Sequence, residues 1–565
     1  MTFASAPRSR LLWSSLRHAG AAVVFLFVFV VSAPAHGARE AIASAHPLAT
    51  EAGMQILKQG GTAFDAAVAV AAALAVVEPY ASGLGGGGFF LLHRARDGFE
   101  TMIDAREVAP ARAGPNTFIG ADGKPDRKAS LEGMRAAAIP GLPAGLVWLS
   151  EHYGKLALPT VLAPSIRLAR EGFPADSRYL FVAGLRAELL RADARLARTF
   201  LEDGRPPKPG FLIRQPELAA TLEALAAGGR DAFYRGAIAG RMVAAVQAGG
   251  GMWAAEDLAA YHVVEREPQR FTYRGASITC ASLPSSGGLT LAESLQILER
   301  YPVPTLDPVQ RTHLVVEALR RGYQDRARYL GDPDFVTVPK WLGTRAYADK
   351  RAADIDPERA TPSDRLAAIS EGDNTTHFSV VDAYGNRVAA TLSINLPFGA
   401  GVVAGDTGVV LNDEMDDFTV APGVPNAFGL TGGTANEVEA RKRPLSSMTP
   451  VFVEDERGVL VLGTPGGSRI ISMVLLAILD YVDGGNPDID RLVSEPRYHH
   501  QYLPDEIEYE PNAFPAEWID ALRQRGYTMR EGRRRWGNMQ AVFVERASGE
   551  ATAHSDPRGN AAAMF

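Results

Sequence analysis

From about Pro140 to Lys350, apolar residues recur every three or four positions, with Leu, Ala and Arg setting the rhythm. That period predicts a mostly helical half, interrupted by one strand pair near Phe271–Leu283. Upstream, the stretch from Ala41 to Val77 reads as helical. Its first helix, His46–Gln59, is broken by Gly60-Gly61, and its second starts near Asp65. A glycine cluster, Gly83–Gly88, then leads into a strand at Phe89–His93.

After Asn374 the period shortens. Thr376–Val381 and Arg387–Asn395 read as strands joined by the turn Asp382–Asn386. Met448–Val453 with Val459–Leu462, and Met539–Glu545 with Ala551–Ser555, repeat the hairpin form. Helices Ile470–Tyr481 and Pro515–Gly526 follow strands. Antiparallel sheet with segregated helices is a layered α+β architecture. Asp356–Asn374, polar and carrying Pro357 and Pro362, predicts an exposed, mobile segment just before the change of pattern.

Composition narrows the function classes. The 565 residues are 46% hydrophobic and 22% charged, which is ordinary for a globular chain. A net charge of -7 gives no electrostatic footprint for nucleic acid, and the clusters Arg441–Arg443 and Arg533–Arg535 are too short to make one. Cys280 is the only cysteine, so no internal disulfide can form; its small and apolar flanks predict a buried thiol in a strand. At the N-terminus, Arg8, Arg10 and Arg17 precede an uncharged run, Ala19–Ser32, and then Ala33-Pro34-Ala35. This is the layout of a signal peptide over residues 1–35; an uncleaved membrane anchor is the alternative.

Five segments carry candidate chemistry. Asp373-Asn374-Thr375-Thr376-His377 runs from the polar segment into a strand. Gly463-Thr464-Pro465-Gly466-Gly467-Ser468-Arg469 sits between a strand and an apolar helix, where successive backbone N–H groups can make an anion site. Neither it nor Gly83–Gly88 has the order of a dinucleotide loop. Leu411–Phe418 holds four acids in five positions without calcium-loop spacing. Arg443–Met448 brings Ser446 and Ser447 into a strand, and Asp104–Glu107 ends another strand on Arg106. His499-His500 lacks an acid or thiol at ligand spacing, so no metal is expected there.

Together these segments resemble the γ-glutamyltransferase (glutathione hydrolase) family, an N-terminal-nucleophile hydrolase family. The resemblance rests on Gly60–Ala67, Gly83–Phe89, Asp104–Glu107, Pro284–Gly288, Thr375–Asn395, Glu414–Asp417, Pro444–Met448 and Gly463–Arg469, in one order. It implies a four-layer αββα sandwich and a precursor that cuts its own Asn374–Thr375 bond. The products would be a large subunit, 36–374, and a small subunit, 375–565, forming one interwoven domain in the periplasm. Thr375 would be the nucleophile, with Ser393 positioning it and the Gly466 and Gly467 N–H groups holding the oxyanion. Arg106, helped by Ser446 and Ser447, would grip the α-carboxylate of a γ-glutamyl group. Asn395, Glu414 and Asp417 would hold its α-ammonium. Substrates would be glutathione and other γ-glutamyl compounds, with water, amino acids or dipeptides as acceptors and no cofactor or metal. Relatives often carry threonine where Ser393 stands, and some carry tyrosine where Phe428 tips the lid loop Pro422–Gly429.

Two rivals share the fold. A β-lactam side-chain acylase would use Arg106 on a dicarboxylic acyl chain, but Glu414 and Asp417 would have no ammonium to hold. An uncleaved binding protein would not need Thr375, Gly466 and Gly467.

Overall fold

The computed structural model describes residues 39–363, 375–485, 488–560 and 562–564. Residues 1–35, where a signal peptide is expected, together with Asn374 and most of the polar segment before it, lie outside the described residues.

The hairpin after Thr375 forms as its alternation predicts. Thr376–Val381 pairs antiparallel with Arg387–Ser393. Its turn is closed by Asp382, whose Oδ1 accepts from the Tyr384 and Asn386 N–H groups at 2.9 and 3.0 Å. Asp382 Oδ2 accepts from the Ala63 N–H at 2.8 Å, so the turn also caps the helix Ala63–Val77. Thr62 and Asp65 complete that N-terminus as a capping box. All fifteen residues of this helix are buried, mostly alanine and valine, which lets it press closely on the hairpin.

The hairpin lies at the centre of a seven-stranded antiparallel sheet. Its order is Ala562–Met564, Ala41–Ser44, Thr376–Val381, Arg387–Ser393, Gly87–Arg94, Phe99–Ala105 and Val264–Arg266. A six-stranded antiparallel sheet faces it, in the order Ala551–Ser555, Gln540–Glu545, Gly458–Gly463, Val451–Glu454, Ala276–Cys280 and Gln269–Tyr273. Side chains alternate between two cores, as a strand buried on both faces requires. Phe90, Leu92, Phe378, Val380, Val388 and Leu392 pack under the helices Pro47–Lys58 and Ala63–Val77. Phe89, Leu91, Val381 and Ala389 join the second sheet's core, which the helices Gly287–Leu298, Pro308–Tyr329 and Ile470–Asp483 cover from outside. The result is the four-layer αββα sandwich.

One expectation needs correction. Ala41–Ser44 is a strand, not the start of a helix. Its pairing with Phe378–Val381 and Ala562–Met564 decides the conformation of a locally ambiguous sequence. The described start of the polar segment is mostly exposed, as expected; at its end Thr361 N–H donates to Glu317 and Ser363 N–H to Asp505, and Ser363 is buried. Cys280 is buried in a strand as expected, and burial pushes its thiol far above the usual range. Among the described residues no helix is long and apolar enough to cross a membrane.

Candidate active site

Thr375 sits at the open end of the central strand Thr376–Val381 and is buried, 8% exposed. Its Oγ1 lies 3.5 Å from Ser393 Oγ, at the end of the paired strand. Ser393 Oγ in turn accepts the Asn395 N–H at 2.8 Å. That bond fixes the serine rotamer, which a threonine methyl would otherwise restrict. Beneath them, the buried His377 bridges Thr391 and Ser379 at 2.8 and 3.3 Å. Burial pushes its pKa down to about 3, so it is a neutral strut between the sheets.

The glycine segment delivers backbone N–H groups to the same place. The strand Gly458–Gly463 ends, the chain turns at Gly466 (φ 144°) and Gly467 (φ 55°), and the helix Ile470–Asp483 begins three residues later. Both dihedrals lie where a Cβ is disfavoured. A Cβ on Gly467 would stand 2.4 Å from the Phe428 ring. Among the described residues neither glycine N–H donates a hydrogen bond.

Arg106, Thr375, Ser393, Asn395, Glu414, Asp417, Phe428, Ser446, Ser447 and Gly467 line one pocket of about 300 Å³. Every expected site residue is brought there except Gly466, which lies just behind Gly467, and Asn374, which lies outside the described residues.

The charged end differs from the simple expectation of cation and anions on opposite sides. Arg106 is 1% exposed, and its Nη1 and Nη2 donate to Glu414 at 2.8 Å and Asp417 at 2.5 Å. Its Nε donates to the Pro444 carbonyl at 3.2 Å, and Glu107 lies 3.4 Å from Nη1. The groups expected to grip a carboxylate and an ammonium therefore hold each other. Burial works against the Arg106 charge, but Glu414, Glu107 and Asp417 outweigh it and hold its pKa above the ordinary value. Burial drives Glu414 well above the carboxylate range, against the pull of Arg106. It lifts Glu107 to about 7. Glu414 Oε1 is buried with no hydrogen-bond partner, an acceptor waiting for a donor. Asn395, at φ 71°, commits its Nδ2 to the Asp413 carbonyl at 3.0 Å, which leaves Oδ1 as its free acceptor.

The lid is anchored through its backbone. The Phe428 carbonyl accepts from Gln501 Nε2 at 3.1 Å and Ser468 Oγ at 3.4 Å. Asn426 Oδ1 accepts from the Phe428 and Leu430 N–H groups, and Asp416 accepts from the Ala427 N–H at 2.7 Å. His499, the histidine set aside as a metal ligand, bridges Ser472 and Gln501 at 2.6 and 2.7 Å and so orients the glutamine. Among the described residues no cluster of three or more metal-ligating side chains exists. Glu107, Asp416, Gln501 and Arg326 were given no role from sequence; only Glu107, beside Arg106, and Asp416, within the four-acid run, offered a signal.

A family model for gamma-glutamyltranspeptidase matches residues 49–565. The chain belongs to the γ-glutamyltranspeptidase family. A glutathione hydrolase proenzyme of Escherichia coli is 42% identical over 540 residues, covering 93% of this chain and 91% of that protein. Among solved structures, a cephalosporin acylase from Bacillus halodurans superposes with a TM-score of 0.80 at 26% identity, covering 94% of this chain and 96% of its own. A Helicobacter pylori γ-glutamyltranspeptidase chain gives a TM-score of 0.55 at 37% identity, covering 56% of this chain and 92% of its own. In this γ-glutamyltranspeptidase family member, Thr375 heads the central strand and shares its pocket with Gly467.

Proposed function

We propose that this family member is a self-processing γ-glutamyltransferase and glutathione hydrolase, exported to the periplasm by residues 1–35. Thr375 Oγ1 attacks the Asn374 carbonyl carbon, the peptide becomes an ester, and water hydrolyses it. The large subunit 36–374 and small subunit 375–565 result.

The new α-amine of Thr375 then serves as the base. Its reference pKa of about 7.7–8.0 leaves a useful unprotonated fraction near neutrality. Thr375 Oγ1 attacks the γ-amide carbon while its proton passes to that amine. The oxyanion is held by the Gly466 and Gly467 N–H groups. The leaving amine takes the proton, and water or an acceptor amine releases the γ-glutamyl group by the reverse steps.

One observation carries the substrate assignment: a buried arginine ion-paired to Glu414 and Asp417, with Glu414 Oε1 unpartnered, in the pocket of the nucleophile. A zwitterionic head exchanges partners there without stranding a charge. Its carboxylate takes Arg106, assisted by Ser446 and Ser447, and its ammonium takes Glu414, Asp417 and Asn395. An acylase substrate bearing only a carboxylate would displace the acids and leave them uncompensated. Purified protein should show two fragments on a denaturing gel. It should release aniline from a γ-glutamyl anilide, faster with glycylglycine. Release from a dicarboxylic acyl substrate but not from the γ-glutamyl anilide would favour the acylase.

A further inference from the structure

Two buried arginines lie close to Ser446 and Ser447 at one end of the pocket, and only one of them forms ion pairs. Arg106 is matched by Glu107, Glu414 and Asp417. Arg326, on the helix Pro308–Tyr329, is 5% exposed, yet among the described residues no carboxylate lies within the 4.0 Å of an ion pair. Its hydrogen bonds go to neutral hydroxyls: Nε donates to Ser286 Oγ at 2.9 Å and Nη2 to Ser447 Oγ at 3.2 Å. Ser286 passes the hold onward, its Oγ and N–H both donating to the Ser446 carbonyl at 2.7 and 2.8 Å. A buried charge left to hydroxyls is costly and calls for a reason.

We propose that Arg326 is a positioning and specificity residue for the α-carboxylate of the donor substrate, acting through Ser447 without touching the substrate. The inference rests on a γ-glutamyl head occupying the Thr375 pocket. A hydroxyl that accepts from a guanidinium turns its own proton to another acceptor, and Ser447 lines the pocket. The arginine thus makes Ser447 an obligate donor. It also supplies a positive charge that no carboxylate of the described residues pairs at close range, Asp417 acting on it only from a distance, so the incoming carboxylate adds to its balance. Arg106, already matched by three acids, cannot provide that imbalance. Arg326 also lines a small neighbouring cavity that shares Asp417 and Leu430 with the pocket.

The test compares kcat and KM for a γ-glutamyl anilide and a γ-aminobutyryl anilide, which lacks the α-carboxylate. The proteins are wild type, R326K, R326M, S447A and R326M/S447A, with self-cleavage into two fragments as the check on folding. R326M should raise KM for the γ-glutamyl substrate by about ten- to a hundredfold, change kcat little, and leave the γ-aminobutyryl substrate within about twofold. R326K should recover part of the loss, since it keeps charge but not the fork. The double variant should be no worse than R326M, because the two side chains act as one unit. Equal penalties on both substrates, or additive effects of R326M and S447A, would overturn the inference. If R326M does not mature, R326K decides: a selective rise in KM supports the proposal and an unselective one ends it. A wild type inactive on both anilides would instead remove the proposed function itself.

Discussion

Replacing Arg106 by lysine tests how the pocket reads a carboxylate. The guanidinium uses its width: Nη1 reaches Glu414, Nη2 reaches Asp417, and Nε reaches the Pro444 carbonyl on a third side. A lysine ammonium is a single point and cannot serve all three. It does keep a cation among Glu107, Glu414 and Asp417, so the variant should fold. Methionine would strand those acids, a change that typically costs ~3–5 kcal/mol. In the proposed complex the lysine loses bidentate contact with the α-carboxylate. One charge-assisted hydrogen bond is worth ~1.5–3 kcal/mol, or roughly ten- to a hundredfold in kcat/KM. Self-cleavage should persist, because it needs only Thr375 and its neighbours. The assay is kcat/KM of wild type and R106K on γ-glutamyl and γ-aminobutyryl anilides. The penalty should fall on the first and nearly vanish on the second. If both substrates suffer equally, Arg106 is only a structural counter-ion and the carboxylate assignment fails.

Gly467→Ala should place a methyl against the Phe428 ring at a strained φ and tilt an oxyanion donor, lowering kcat by about 10²–10³-fold in a steady-state assay; a kcat within threefold of wild type would count against the oxyanion role. Gln501→Ala should release the Phe428 carbonyl and loosen the lid, so hydrolysis should gain on transfer in product analysis with glycylglycine. Phe428→Tyr should change that ratio less, since the lid is already tied through its backbone; a larger shift than for Gln501→Ala would contradict this. Asp416 is raised by burial to about 6 from 3.8, against the pull of Arg127. A raised carboxyl favours the folded state below the unfolded pKa and loses that advantage as pH climbs to about 6. The loss is on the order of 2–3 kcal/mol. Asp416→Asn should therefore gain thermal stability relative to wild type between pH 4 and 6.5; melting curves that stay parallel over that window would refute it.

Much of this site was legible because its parts are local. The hairpin behind Thr375 and the Gly466-Gly467 turn are legible from period and turn chemistry, whereas the expected roles of Thr375, the two glycines and Arg106 come from the family resemblance. What stayed hidden depends on partners far away in the chain. Ala41–Ser44 is a strand only because Phe378–Val381 and Ala562–Met564 flank it. The Arg106 ion pairs span about three hundred residues, so nothing local shows that the gripping groups hold each other. Arg326 reads as one more basic residue in an amphipathic helix, and its importance arises from burial without a counter-ion. Gln501 and His499 gain their roles from a lid carbonyl more than seventy residues upstream.

The central claim is that Thr375 becomes a new N-terminus and the nucleophile. N-terminal sequencing of the smaller fragment from purified protein tests it most directly, run beside the Thr375→Ala variant. The sequence should begin Thr-Thr-His-Phe-Ser, and the variant should remain a single inactive chain. A small fragment beginning at any other residue, or a Thr375→Ala protein that still cuts itself and turns over a γ-glutamyl anilide, would contradict the account.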